Sequence, residues 1–193
     1  MNILDTLTKS QLEKVEIKDI EKDITLFREN DVCNKIGIVL QGQVSIVTYI
    51  NNGKEIIFNT LNTNEIFGNN LIFSSKPIYK GNIITNVSTK LALINKNDLL
   101  SFLQNNETFL LEYLRLQSDF GKNLNNRIKL LSISSAEERF NFYMYENKNT
   151  IEISSITTLA KELSLERETL SRLLSKLEKE KKIIRKNKRI VLI

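Results

Sequence analysis

The hydrophobic pattern of the chain changes character near Asn97, and that change limits what it can fold into. From Ile24 to about Asn97, apolar residues come in short runs broken by turn residues. The runs are Ile36–Leu40 read across Gly37, Val44–Ile50, Glu55–Leu61, and stretches near Ile83–Val87 and Leu91–Ile94. Short runs at regular spacing predict strands, and a series of them predicts an all-β barrel, roll or sandwich. Asn51-Asn52-Gly53-Lys54 lies between two runs. Asn-Gly there is a strong hairpin signal, because both residues tolerate φ > 0. After Asn97 the period becomes helical. Asp98 is expected to cap a helix over Leu99–Leu103, and a longer helix is expected from about Thr108 to Leu131. In the longer one Tyr113, Leu116, Phe120, Leu124, Ile128 and Leu131 recur at spacings of three and four. Such a stripe packs on a core or on a second copy. A helix that joins two domains has few core neighbours, so these six residues are expected to form a dimer interface.

The last third of the chain is more specific. A helix is expected over Ala136–Glu146, then a polar turn at Asn147–Asn149. Ser155 is a good N-cap for a helix running through Leu163. A second helix begins near Leu165 or Glu166 and runs to about Lys181. Two or three residues between helices is the spacing of a helix-turn-helix. Lys182–Ile193 then alternates into two short strands around Lys186-Asn187, and a helix-turn-helix followed by a β-hairpin is a winged helix. Residues 1–22 read as one or two short amphipathic helices with Leu4, Leu7, Leu12 and Val15 as apolar points. The expected organisation is α+β: a jelly-roll-like β-roll over 1–107, a dimerisation helix over 108–133, and a winged helix-turn-helix over 134–193.

Two counts remove much chemistry. Histidine is absent and cysteine occurs once, at Cys33. No Ser-His-Asp or Cys-His arrangement, His metal ligand, four-cysteine cluster or internal disulfide can be built. An enzyme would have only carboxylates, Lys, Tyr and Ser to work with, no paired acids or phosphate loop stand out, and no catalytic residue is expected. The N-terminus lacks the apolar stretch of a signal peptide, and no run approaches the eighteen or so residues that span a bilayer. A soluble, cytoplasmic chain is expected, without a membrane partner. The formal net charge of +5 is uneven. Residues 136–193 hold 13 Lys+Arg and 9 Asp+Glu, whereas residues 1–135 hold 15 and 14. Lys176–Arg189 alone contributes eight basic residues against Glu178 and Glu180. A basic third on a neutral remainder points to a polyanion, the alternative being a solvated Lys-rich helix end.

The stretch Leu159-Ala-Lys-Glu-Leu-Ser-Leu-Glu-Arg-Glu-Thr-Leu-Ser-Arg-Leu-Leu-Ser-Lys-Leu-Glu178 resembles the helix-turn-helix of Crp/Fnr-family bacterial transcription regulators. Arg167-Glu168-Thr169-x-Ser171-Arg172 matches the family's recognition-helix pattern. Upstream, Phe27-x-Glu29-Asn30-Asp31, Ile38-Val39-Leu40-x-Gly42-x-Val44 and Glu65-Ile66-Phe67-Gly68 follow the order of its cyclic-nucleotide-binding-like roll. Ser134-Ser135-Ala136-Glu137-Glu138-Arg139 is similar to its join between dimer helix and DNA-binding domain. The resemblance implies a homodimer on double-stranded DNA, contact with RNA polymerase, and a palindrome with a TGA-like core. It makes Glu168 and Arg172 base readers, with Arg167 on a base or a phosphate. Ser155, Thr169, Ser171 and Lys176 are the expected phosphate contacts. Arg donates two hydrogen bonds to guanine and Glu accepts from cytosine, whereas phosphate contacts set register. Glu168 and Arg172 are also spaced for a plain helix salt bridge.

The sequence departs from the family in places. Ser164 stands at the turn glycine, Glu166 at the usual Ser before the Arg, and Lys182 at the Gly that often ends the second helix. Cyclic-nucleotide binders of this fold hold the phosphate with an Arg and the ribose with a Glu after Phe-Gly. Here those positions are Tyr79, followed by Lys80, and Asn69, so cyclic AMP is not an expected effector. An effector pocket, if built, would use Asn69, Asn70, Tyr79, Lys80 and Leu124. An iron–sulfur cluster and a His-ligated haem fail on residue counts, so no cofactor or metal is expected. Cys33 reads as packing more readily than as a redox sensor. The competing function is a small-molecule-sensing or protein-interaction module whose winged helix does not read DNA.

Overall fold

Capping groups organise the start of the chain. In this computed structural model, which describes residues 2–50 and 53–193, Asn2 accepts from the Leu4 N–H and Asp5 accepts from the Asn2 N–H. That reciprocal box closes a 3-10 turn over Ile3–Thr6, and Thr8 with Gln11 repeats it at α1 (Lys9–Leu12). Ile3, Leu7 and Val15 are buried, Leu4 packs partly against them, and Leu12 stays exposed.

Two four-stranded antiparallel sheets follow. One has the order β1-β8-β3-β6, from β1 (Glu16–Ile20), β3 (Lys35–Gln41), β6 (Ile66–Phe67) and β8 (Thr89–Asn95). The other has the order β2-β7-β4-β5, from β2 (Thr25–Phe27), β4 (Val44–Tyr49), β5 (Glu55–Leu61) and β7 (Asn82–Thr85). Apart from the β4–β5 hairpin, consecutive strands are split between the sheets, which is a roll and not a meander. The five strands with apolar runs were legible. Strands β1, β2 and β6 were not, since β1 is largely exposed and charged and β6 has two residues. The hairpin joining β4 to β5 pairs Tyr49 with Glu55, and Gly53 has φ +75°; Asn51 and Asn52 lie outside the described residues. Ile36, Ile38, Val39, Leu91, Ala92 and Ile94 are fully buried. Gly37 leaves room for Phe67, whose ring would lie 1.9 Å from a Cβ at that position. On the edge strand β5, Ile56, Ile57 and Phe58 are all exposed.

Helix α2 spans Lys96–Asn105, three residues earlier than expected. Its cap is Asn95, which accepts from the Asp98 N–H, and Asp98 sits at the third helical position. Both residues are good caps, and the strand β8 runs far enough to let Asn95 take the role. Helix α3 covers Glu107–Ser132, and the chain's two compact units divide within it, at Ser118/Asp119. The expected limits at 107/108 and 133/134 fall near its two ends. In the first unit Phe109 is fully buried, edge-on to Phe102, and Tyr113 is buried as well. The Tyr113 hydroxyl donates to the Asn69 carbonyl at 2.9 Å, and Leu116 packs partly on the same core. Tyr113 and Leu116 therefore face the roll and correct the expected six-residue interface. Phe120, Leu124, Ile128 and Leu131 carry the same helix face onward in the second unit, each 43–55% exposed.

The second unit comprises the C-terminal half of α3, then α4 (Ala136–Glu146), α5 (Ile156–Leu163), α6 (Arg167–Lys179) and a three-stranded sheet. Ser135 caps α4 through the Glu138 N–H. The sheet has the order β10-β11-β9, from β10 (Ile183–Lys186), β11 (Arg189–Leu192) and β9 (Thr150–Glu152). Strand β9 escaped the sequence reading, which had only a turn before Ser155. Leu130, Phe140, Met144, Ile151, Leu159, Leu163, Leu174, Ile183 and Ile190 are among the buried residues of this core. The end of α6 also differs from expectation. Lys181, not Lys182, has φ +58°, and the Lys182 N–H reaches the Leu177 carbonyl at 2.9 Å. That is a Schellman closure with a non-glycine residue in the left-handed position.

Candidate nucleic-acid interface

The two helices of the helix-turn-helix are placed by their ends. Ser155 accepts from the Thr158 N–H at 3.0 Å and starts α5. Ser164 ends it with φ +52° and ψ +46°, and the Leu165 N–H returns to the Ala160 carbonyl at 2.9 Å. A left-handed residue that is not glycine carries a steric cost, so the turn needs support from elsewhere. Glu166 caps α6 by backbone alone, without a side-chain hydrogen bond. Its carboxylate lies at the positive end of the helix, which is electrostatically favourable.

Helix α6 is two-sided. Leu170, Leu173, Leu174 and Leu177 are buried, with Leu165 partly buried beside them. Arg167, Glu168, Thr169, Ser171 and Arg172 are all exposed on its first turns. Glu168 and Arg172 approach to 3.7 Å with side chains 83% and 84% exposed. An exposed i,i+4 pair of this kind contributes only about 0.3–0.5 kcal/mol, too little to hold either side chain from a ligand. The face offers two guanidinium forks, a carboxylate and two hydroxyls within six residues, the donor and acceptor set that base edges require.

The basic flank is partly neutralised. Lys176 donates to Glu137 at 2.8 Å, so this expected phosphate contact already has a partner in α4. Lys182 reaches Glu137 at 3.4 Å and Glu180 at 2.8 Å. Lys176, helped by Lys182, holds the Glu137 carboxyl below the usual carboxylate value, and both ammonium groups are raised in turn. Arg185 pairs with Glu178, lowering it likewise, and Arg189 pairs with Glu152 at 2.9 Å. Lys179, Lys181, Lys186 and Lys188 are exposed, the last two flanking Asn187, which turns the wing with φ +55°.

Two arginines support the strained turn. Arg139 of α4 donates through Nη1 to the carbonyls of Ser164 at 2.9 Å and Leu163 at 3.3 Å. Its Nε and Nη2 hold the Ile133 carbonyl at 3.1 and 2.6 Å. Arg127 of α3 donates to the Glu162 carbonyl, to Ser164 Oγ at 2.7 Å and to the Lys161 carbonyl at 3.4 Å. The Glu162 and Leu163 carbonyls close the last turn of α5, at its negative end, where intrahelical donors run out. Sequence reading passed over Arg127. Arg139 ends the Ser134–Arg139 join, whose resemblance assigns it no role.

The expected effector residues are dispersed. Tyr79 is a core residue: 1% exposed, its ring stacked on Phe27 at 4.6 Å and its hydroxyl donating to the Lys35 carbonyl at 2.8 Å. This corrects its assignment as a pocket group. Burial pushes its hydroxyl far above the ordinary tyrosine value. Asn69 is half-buried, with its carbonyl accepting from Tyr113 and from Gln117 at 2.8 Å, while Asn70 and Lys80 are exposed. Leu124 belongs to the second unit and is exposed there. Cys33 is buried, its Sγ 3.7 Å from the carbonyls of Lys35 and Gly68, and burial pushes the thiol up. Among the described residues no His/Cys/Asp/Glu group has the makings of a metal site, and no helix is long and apolar enough to cross a membrane.

Residues 17–106 match the family model of the cyclic nucleotide-binding domain. No curated protein sequence matches the chain. Among solved structures, a CooA variant from Carboxydothermus hydrogenoformans superposes with a TM-score of 0.71 at 18% identity, covering 100% of this chain and 91% of that one. The Thermus thermophilus catabolite activator protein gives 0.57 at 16% identity, covering 99% and 93%. A protein assigned to the crp/fnr family of transcriptional regulators, from Eubacterium rectale, gives 0.55 at 16% identity, covering 100% and 93%. Residues 17–106 therefore resemble a cyclic nucleotide-binding domain, and the chain as a whole shares the fold of these solved regulators.

Proposed function

We propose that this chain is a DNA-binding transcription regulator that reads a palindromic site as a homodimer, without dependence on cyclic AMP. The observation that carries the reading is the two-sided α6. Four leucines anchor it, and Arg167, Glu168, Ser171 and Arg172 are exposed on the opposite side. Inserted in a major groove, the two arginines are matched to guanine O6 and N7 and Glu168 to cytosine N4. Thr169 and Ser171 on that face, and the exposed Ser155, Lys186 and Lys188 of the same unit, suit phosphate oxygens. Lys176 joins them only by leaving Glu137.

The apolar stripe Phe120, Leu124, Ile128 and Leu131 supports self-association, since four large exposed apolar side chains along one face suit a matching helix. Two such copies present two α6 helices, which is what a palindrome demands. Independence from cyclic AMP is supported by Tyr79, which fills the family's phosphate-arginine position with a buried ring. Action at promoters through RNA polymerase follows from the family likeness. Selection of bound sequences from random duplex DNA, at a stated salt concentration, tests the proposal. Enrichment of an inverted repeat with TGA-like half-sites supports it, and binding should fall steeply as salt rises. Absence of any enriched repeat would overturn it in favour of a protein-interaction module.

A further inference from the structure

We propose that Arg127 is a positioning residue that sets the distance between the two half-sites, by fixing the recognition helix to α3 through the hydroxyl of Ser164. The inference rests on the DNA-reading proposal and deepens it. Half-site spacing in a dimeric reader depends on how each recognition helix is held relative to the dimer axis. Arg127 lies between Leu124 and Ile128 in sequence, at the edge of the exposed stripe on α3. From there its guanidinium reaches the last turn of α5 and the turn before α6. One side chain thus joins the stripe-bearing helix to the turn that leads into α6.

Ser164 explains itself in this arrangement. A glycine there would adopt φ +52° without steric cost but would offer Arg127 no side-chain acceptor. Ser164 accepts the strain and supplies Oγ at 2.7 Å from Nη2. The planar fork of Arg suits simultaneous hold of the Glu162 carbonyl and this hydroxyl, whereas a lysine is a single point donor. Arg139, by contrast, grips backbone carbonyls alone and ties the turn to the α3–α4 link.

The test selects the preferred spacer from a library holding the half-site constant and varying the separation, using full-length wild type, Arg127→Ala and Ser164→Gly. Wild type should favour one spacer. Both variants should keep the half-site sequence while spacer discrimination falls about fivefold to tenfold, the size of a lost local coupling. Ser164→Gly should do so with a melting temperature equal to or above wild type, because the backbone strain is relieved. A purely structural contact would leave spacer preference unmoved, so wild-type discrimination in either variant overturns the proposal. So does an equal loss of affinity for every spacer with Arg127→Ala. If wild type itself selects no paired site, the DNA-reading proposal fails first, and the wild-type control separates that outcome from the others.

Discussion

Tyr79 and Phe27 stack at 4.6 Å between ring centroids, and the Tyr79 hydroxyl closes the arrangement by donating to the Lys35 carbonyl at 2.8 Å. The position that the resemblance assigns to the phosphate-binding arginine of cyclic-nucleotide binders is here an aromatic core position. Tyr79→Phe keeps the ring and leaves a carbonyl without its donor, which should cost about 1–3 kcal/mol. Tyr79→Ala empties the ring volume and should cost about 3–5 kcal/mol. Denaturant unfolding followed by near-ultraviolet signals measures both. Calorimetric titration of wild type with cyclic AMP should show no heat of binding; saturable binding would remove this argument for an independent sensor.

Arg139 and Arg127 meet the same turn, but from different helices, and their variants should separate. Arg139→Ala frees the carbonyls of Ile133, Leu163 and Ser164 in a partly buried setting. Loss of charge-assisted bonds there should destabilise the winged unit by about 1.5–3 kcal/mol. Half-site sequence selected from random DNA should be unchanged. A stable Arg139→Ala protein with altered half-site preference would contradict this assignment.

The exposed side of α6 should respond by base and not by stability. Arg172→Ala should relax preference at one base pair of each half-site by about 1–3 kcal/mol, measured by competition binding against single-base variants. Its unfolding midpoint should barely move, because the Glu168–Arg172 pair is exposed at 3.7 Å. Lys188→Ala should weaken all sequences alike and reduce the slope of log affinity against log salt by about 1. Unchanged discrimination in Arg172→Ala would sink its base-reading role.

What the sequence made legible follows the strength of local signals. Ala136–Glu146 and the Ser155 cap were read to the residue, because a capping side chain and an apolar face agree there. Strand β9 was lost because its alternation runs over only three residues, too short to stand out as a period. Asn95 and Asp98 are equally good caps on paper, and only the length of β8 chooses between them. Tyr113 and Leu124 share one helical stripe, yet Tyr113 meets the roll and Leu124 is exposed. Periodicity identifies a face but not what the face meets. Arg127 was invisible for a related reason: its partners are carbonyls and a hydroxyl 34–37 residues away.

Glu137 gives the winged unit a defined response to acid. Its carboxylate accepts from Lys176 at 2.8 Å and from Lys182 at 3.4 Å, and these contacts hold it below its ordinary value of 4.5. A carboxyl lowered in the folded state stabilises fully above its unfolded value, and that contribution is lost as pH falls through the folded one. Lys176 and Lys182 are raised in the folded state. Their share is present below the ordinary lysine value of 10.5 and is lost only as pH climbs through the raised folded values. Stability from this cluster should therefore be flat across neutral pH and decline in acid below about pH 4.5. Glu137→Gln should lower stability on the neutral plateau and make the acid decline shallower, with the two proteins converging at low pH. Urea unfolding at a series of pH values measures this. An acid decline of wild-type steepness in Glu137→Gln would assign the response to other carboxylates, Glu178 beside Arg185 being the next to replace.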